Sequence, residues 1–204
     1  MSKHHYTYLA LGDSYTIGES VALHESFPYQ TVQLLRKAGF PFLAPEILAK
    51  TGWTSSELAE HILHTSLSES YDFVSLLIGV NNQYRGLSLD DFITDFEFLL
   101  HKAIHLTGNK ADHVIVLSIP DWGQTPFAKG KDAELIRQEI DMFNGACESA
   151  ARKNQTHFIS ITDDTRKAAK DKSLLTSDQL HYSGKEHAVW AAKTATIMQS
   201  LSRK

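Results

Sequence analysis

A serine hydroxyl left standing at the end of a buried strand is inert until a neighbouring base removes its proton. The stretch Tyr8-Leu9-Ala10-Leu11-Gly12-Asp13-Ser14-Tyr15-Thr16-Ile17-Gly18 makes such a placement. An apolar run leads into the small, turn-forming triplet Gly12-Asp13-Ser14 and then towards a helix. Ser14 therefore stands at the carboxyl edge of a sheet, where open α/β sheets bind ligands. Two further strand-like segments end near small or amide residues, Gly52 and Asn81. Close to the C-terminus comes Asp178-Gln179-Leu180-His181, just ahead of the last helix. Among the eleven histidines, His181 is set apart by its three-residue offset from Asp178 and by the helix that follows. Asp163 and Asp164 also lie near a strand end and are the rival acidic residues. Their position also reads as a helix start, where carboxylates suit the positive helix end.

The elements that must hold these residues alternate in type. Residues 5–11 read as the first strand, and residues 27–38 as a helix closed by Gly39. Residues 45–51 form a short second strand. Thr54 and Glu57 then make a capping-box pattern for a helix reaching about His64. Residues 73–78 are almost continuously apolar, as in a central strand buried on both faces. A helix over 88–106 carries the apolar stripe Phe92, Phe96, Leu99 and Ala103. Residues 113–119 form the fourth strand, stopped by Pro120, and residues 120–130 fit neither period. A helix over 131–153, a fifth strand over 156–161 and a last helix over 184–201 complete the chain. Ser183 and Glu186 repeat the capping-box pattern at the start of that last helix.

This alternation implies right-handed βαβ crossovers. The expected fold is α/β, a three-layer α/β/α sandwich with a five-stranded parallel sheet in the flavodoxin-like order 2-1-3-4-5. It brings the ends of the first three strands side by side. The 204 residues, 42% hydrophobic, suit one domain over 1–204 with a sizeable core.

Four short motifs occur in chain order: Gly12-Asp13-Ser14-Tyr15, Gly52, Gly79-Val80-Asn81-Asn82 and Asp178-Gln179-Leu180-His181. Together they resemble the SGNH subgroup of the GDSL esterases and lipases, and the resemblance runs from Leu9 to about Trp190. It implies Ser14 as nucleophile and His181 as general base towards Ser14, then general acid towards the leaving group. It implies Asp178 as the residue that orients the imidazole. The backbone N–H groups of Ser14 and Gly52, with the side-chain amide of Asn81, would form an oxyanion hole. Fixed donors of this kind typically contribute roughly 3 kcal/mol each to an acyl transfer. The chain departs from the family pattern at Asn82, where Asp is usual, and at Tyr15, where Leu is often found. Tyr15 either packs under the loop or shapes the acyl site.

Trp53, Tyr84, Trp122 and Phe127 follow strands two, three and four on the same face. They either line a substrate pocket or plug the core under the loops. The histidine pairs His61/His64 and His101/His105 lack the glutamate of a His-Glu-x-x-His zinc motif and read as helix faces. No phosphate-cradling glycine loop or dinucleotide fingerprint occurs, so neither metal nor cofactor is expected. The lone Cys147 excludes an internal disulfide and reads as a packed small residue.

A net charge of −4 without a long basic run argues against nucleic acid or an anionic membrane as main partner. No apolar run is long enough to cross a membrane, and residues 1–6 lack a leader's apolar region. That points to the cytoplasm, or to a secreted form whose leader has been trimmed. The resemblance implies a serine acylhydrolase acting on a small-molecule carboxylic ester or acyl thioester, lysophospholipase- or thioesterase-like. A carbohydrate O-acetyl esterase and a non-catalytic binding module of the same fold are the alternatives. Oligomeric state is not legible.

Overall fold

In the computed structural model, which describes residues 5–202, the strands are β1 (Tyr8–Gly12), β2 (Glu46–Ala49), β3 (Phe73–Leu77), β4 (Val114–Leu117) and β5 (His157–Ile159). The helices are α1 (Ser14–Ile17), α2 (Phe27–Lys37), α3 (Ser55–His64), α4 (Val80–Tyr84), α5 (Leu89–Leu106), α6 (Ala133–Lys153), α7 (Thr162–Thr165) and α8 (Gly184–Ser202). Residues 1–4, part of the stretch read above for a leader, lie outside the described residues.

All five strands are parallel in the order β2-β1-β3-β4-β5. The three inner strands β1, β3 and β4 are buried along their whole length, which is why they read as unbroken apolar runs. The edge strands β2 and β5 are only partly covered. Helix α2 packs on α8, while α3 packs on α5 and α5 on α6. The direction of chain travel reverses between β1 and β3. Right-handed crossovers therefore put α2 and α8 on one face and α3, α5 and α6 on the other. That reversal opens a crevice where β1 and β3 end, with Gly12 paired to Leu77.

The strands are shorter than their apolar runs, for local reasons. β1 starts at Tyr8 rather than residue 5 because the Thr7 N–H and hydroxyl both donate to Asp72 Oδ2, at 2.7 and 2.9 Å. Tyr6 contributes only an isolated bridge to Phe42. β2 ends at Ala49 because the chain turns at once, with the Trp53 N–H donating to the Lys50 carbonyl at 3.2 Å. Helix α6 begins two residues late because Asp132 caps it, accepting from the Glu134 and Leu135 N–H groups.

The capping box at Thr54 forms as expected: its hydroxyl accepts the Glu57 N–H, and the Glu57 carboxylate accepts the Thr54 N–H at 2.8 Å. The one expected at Ser183 does not. The Ser183 N–H goes to the Leu174 carbonyl and its hydroxyl to the Ser173 carbonyl, while the Glu186 carboxylate accepts the Trp190 indole N–H at 2.9 Å. Glu186 is buried beside the equally buried Trp190 indole, which takes its carboxylate away from the half-buried helix start.

Candidate active site

Ser14 is presented by a tight passage from strand to helix. β1 ends in Gly12 because nothing larger fits: a Cβ there would stand 2.1 Å from Thr16 Oγ1 and 2.4 Å from the Leu77 carbonyl oxygen. Asp13 then caps α1, its Oδ1 accepting the Tyr15 N–H at 3.0 Å. Ser14 is the first residue of that helix and is almost wholly buried. Asp13 is fully buried, and its Oδ2 has no hydrogen-bond partner among the described residues. Burial pushes its pKa up to about 7, against the pull of the Tyr15 N–H.

The turn before α8 carries Asp178 and His181. Gln179 takes the left-handed conformation there, with φ 60°. This folds the turn so that Asp178 Oδ1 accepts the Leu180 and His181 N–H groups, both at 2.9 Å, and the Thr176 hydroxyl at 2.7 Å. Asp178 Oδ2 accepts the Ser20 hydroxyl at 2.8 Å and His181 Nδ1–H at 2.8 Å. On the other side of the ring, His181 Nε2 lies 3.0 Å from Ser14 Oγ. An ionised carboxylate only accepts, so it assigns the ring proton to Nδ1 and leaves Nε2 free to receive the serine proton. Burial works to raise the Asp178 pKa. Hydrogen bonds from the His181 ring, the two N–H groups and the Thr176 hydroxyl outweigh it and hold the carboxyl well below its usual range.

The opposite wall is built by the β2–α3 turn and by α4. Gly52 occupies the third position of the Lys50–Trp53 turn with φ 82°, a geometry that favours glycine. Arg85 donates to the Gly52 carbonyl at 2.6 Å. Asn81 Nδ2 donates to the Trp53 carbonyl at 2.9 Å, which engages one of its amide hydrogens. Next to it, Asn82 Oδ1 accepts the Ser55 N–H at 2.9 Å and Nδ2 donates to Ser55 Oγ at 2.8 Å. Ser55 passes its own hydroxyl proton on to Asp95. An amide can accept and donate in this way, whereas a carboxylate only accepts. That accounts for Asn82 where the resemblance leads one to expect Asp.

Ser14, Gly52, Asn81 and His181 line one cleft of about 140 Å3. Tyr84, Trp122 and Phe127 form its aromatic wall, with rings 5.2 to 6.2 Å apart. Trp53 is not part of that lining: its ring turns towards α3 and packs on His61 at 4.3 Å. Thr51, Val80 and Leu180 also face the cleft and were not singled out from the sequence, although each is the chain neighbour of a residue that was. Tyr15 does both things open to it, lining the cleft and packing against His181 at 5.3 Å and Tyr182 at 5.9 Å. The arrangement can deprotonate a hydroxyl at a point bordered by amide donors and shielded by aromatic rings.

The profile of the GDSL-like Lipase/Acylhydrolase family matches residues 10–189. The chain belongs to this family. Membership makes it a carboxylic ester hydrolase of the SGNH/GDSL class. Among solved structures, TesA superposes with a TM-score of 0.75 at 16% identity, covering 96% of this chain and 99% of that one. The psychrotrophic esterase EstA from Pseudoalteromonas sp. gives 0.73 at 15% identity, covering 97% and 99%. Axe2, an acetylxylan esterase from Geobacillus stearothermophilus, gives 0.74 at 17% identity, covering 95% and 94%. At such identities the likeness speaks to the fold. A search of curated proteins returned no match.

The rival residues in this GDSL-family chain are engaged elsewhere. Asp163 and Asp164 lie in the first turn of α7. Asp163 meets Arg166 at 3.4 Å, and Asp164 holds Lys167 at 2.6 Å together with Lys193. His61 lies against Trp53, and His101 meets Asn154 Oδ1 at 3.1 Å. Cys147 is fully buried in α6, which raises its thiol pKa. No helix among the described residues is long and apolar enough to cross a membrane.

Proposed function

We propose that this chain hydrolyses small-molecule carboxylic esters or acyl thioesters with short acyl groups, through an acyl-enzyme on Ser14. The observation that carries this reading is the hydrogen-bonded line from Ser14 Oγ to His181 Nε2 at 3.0 Å and from His181 Nδ1 to Asp178 at 2.8 Å. As Ser14 Oγ attacks the carbonyl carbon, its proton passes to His181 Nε2. The oxyanion so formed meets the Ser14 and Gly52 N–H groups and the Asn81 amide hydrogen not engaged by Trp53. The tetrahedral intermediate collapses, and the leaving alkoxide or thiolate takes the proton from Nε2. Water then repeats the cycle, giving a proton to Nε2 and a hydroxyl to the acyl carbon; the acyl–Oγ bond breaks, Nε2 returns the proton to Ser14 Oγ, and the acid leaves. Asp178, kept ionised by its hydrogen bonds, stabilises the imidazolium that exists between the two proton transfers.

The preference for short acyl groups rests on the cleft, whose 140 Å3 is close to the ~150 Å3 of a void that holds one benzene. A sugar acetate is the second reading. It is favoured by the same small volume and by Tyr84 and Phe127, about half exposed at the mouth, where a flat ring can stack. Axe2, named as an acetylxylan esterase, shares the fold. A binding module without turnover is disfavoured by the intact hydrogen-bonded line. We place the protein in the cytoplasm, as one domain, working without metal or cofactor.

The test is Ser14→Ala with p-nitrophenyl acetate as substrate. We expect loss of hydrolysis to background with an unchanged melting temperature, and loss of labelling by a fluorophosphonate probe. Activity retained in Ser14→Ala refutes the assignment. Acetate release from acetylated xylan without hydrolysis of acyl-CoA or simple esters selects the second reading.

A further inference from the structure

Beyond the aromatic wall of the cleft lies a second, solvent-open groove of about 410 Å3 whose lining includes Lys131, Asp132 and Glu139 as well as apolar side chains, and Tyr84 and Trp122 line both cavities. The Trp122 indole is 4% exposed and meets the Tyr84 ring edge-on at 5.2 Å. A chain of hydrogen bonds fixes it. Trp122 Nε1 donates to Gln83 Oε1 at 2.7 Å, and Gln83 Nε2 donates to Glu139 Oε2 at 2.7 Å. The direction of the Gln83 amide is dictated, because an ionised carboxylate only accepts. The NH2 must face Glu139, so the oxygen faces the indole. The partners come from separate places in the fold: Gln83 from α4, Glu139 from α6 and Trp122 from the loop after β4. Past the indole, Leu135 and Ile136 offer apolar surface to the second cavity.

We propose that Trp122, latched through Gln83 to Glu139, is the partition that confines the acyl group to the small cleft, and that the second cavity is a latent extension for longer acyl chains. The proposal rests on the reading of Ser14 as an acyl-accepting nucleophile. Swinging the indole aside would strip its N–H and the Gln83 oxygen of each other, and both groups are buried, so a long acyl chain meets a wall that resists displacement. Replacing Gln83 with a residue of similar size that cannot accept a hydrogen bond leaves the wall in place but unlatched. Shortening Trp122 removes the wall and joins the two cavities.

The experiment is a panel of p-nitrophenyl esters from acetate to decanoate, run on the wild type, Gln83→Leu, Glu139→Gln and Trp122→Ala, with fluorophosphonate labelling of Ser14 measured in each. The wild type should favour acetate to butyrate. In Gln83→Leu and Trp122→Ala the ratio of kcat/KM for octanoate over acetate should rise by roughly tenfold or more, mostly through a lower octanoate KM. Glu139→Gln, the mildest change and the one least able to disturb folding, should shift the ratio in the same direction by less. A residue that served only to hold the fold would lower activity on all esters alike and leave the ratio fixed. An unchanged ratio in variants that still label overturns the proposal, as does a wild type that already favours octanoate. Failure of the wild type itself to label at Ser14 overturns the nucleophile reading instead.

Discussion

Asp13, next to Ser14 in the chain, and Asp178, facing it across His181, are both turn carboxylates at the carboxyl edge of the sheet. Asp13 is wholly buried, with one oxygen bonded to the Tyr15 N–H and the other without a partner among the described residues. Asp178 keeps about a third of its side chain exposed and accepts five hydrogen bonds. Burial pushes the first up to about 7, while the donors around the second hold it far down. Donors, and not nearness to Ser14 in the chain, decide which of the two carboxylates is held in its charged form. The acid adjacent to the serine serves as a helix cap, and the distant one serves as a fixed negative charge.

The largest effect is expected of Asp178→Asn. An amide can present NH2 to the ring and favour the wrong tautomer, so kcat should fall by roughly 10⁴-fold with KM little changed. A fall of less than tenfold in steady-state kinetics would mean that Asp178 does not orient His181.

Asp13→Asn tests the other side. Asn keeps an oxygen for the Tyr15 N–H and removes the buried charge. The Asp13 pKa is raised in the fold, so its favourable contribution is complete below the unfolded value near 4. It is lost as pH rises towards and through about 7. The variant should therefore fall about 2 kcal/mol below the wild type at pH 4, where only the unpartnered amide nitrogen counts, and exceed it at pH 8 in urea unfolding. The shift corresponds to roughly 4 kcal/mol at about 1.4 kcal/mol per pKa unit, but the new amide nitrogen also lacks a partner, so the expected gain is about 2 kcal/mol. For Asp178, whose pKa is lowered, the sign is opposite: its contribution is present at neutral pH and is lost as pH falls through the folded value.

How much of this was legible in the sequence depends on the range of the interaction. The inner strands could be read because burial on both faces writes itself as an unbroken apolar run, as in Phe73–Leu77. Ser14, Gly52 and Asn81 could be read because each follows the end of a strand, and Asp178 and His181 because they stand together just ahead of the last helix. Helices α1 and α4, which carry Ser14 and Asn81, could not, since four or five residues show no helical period. Trp53 stayed open between pocket wall and core plug because a residue next to Gly52 has two faces to choose from, and only the packing on His61 decides for the core. The latch on Trp122 joins residues 39 and 56 positions apart through side-chain amide and carboxylate, and no local pattern announces it. The false capping box at Ser183 has the same origin, because a motif cannot show that a buried indole will claim its glutamate.

The smallest expected effect concerns Ser20, which reaches Asp178 from 158 positions away. Ser20 donates to the oxygen that also takes His181 Nδ1–H, so it steadies the carboxylate in the plane of the ring. Four other hydrogen bonds remain when it is removed, and the carboxyl stays ionised at neutral pH. Only orientation is lost, and a single hydrogen bond of roughly 1 kcal/mol corresponds to a fall in kcat of about fivefold. Ser20 also has φ 65°, so its substitution carries a backbone effect that has to be separated. Ser20→Ala keeps the left-handed strain and loses the hydroxyl, whereas Ser20→Gly relieves the strain and loses the same hydroxyl. If the hydroxyl steadies Asp178, the two variants lose kcat equally although the glycine variant melts higher. If kcat instead follows the melting temperature, with Ser20→Gly at or above the wild type, the residue shapes the loop and leaves the carboxylate to its own turn.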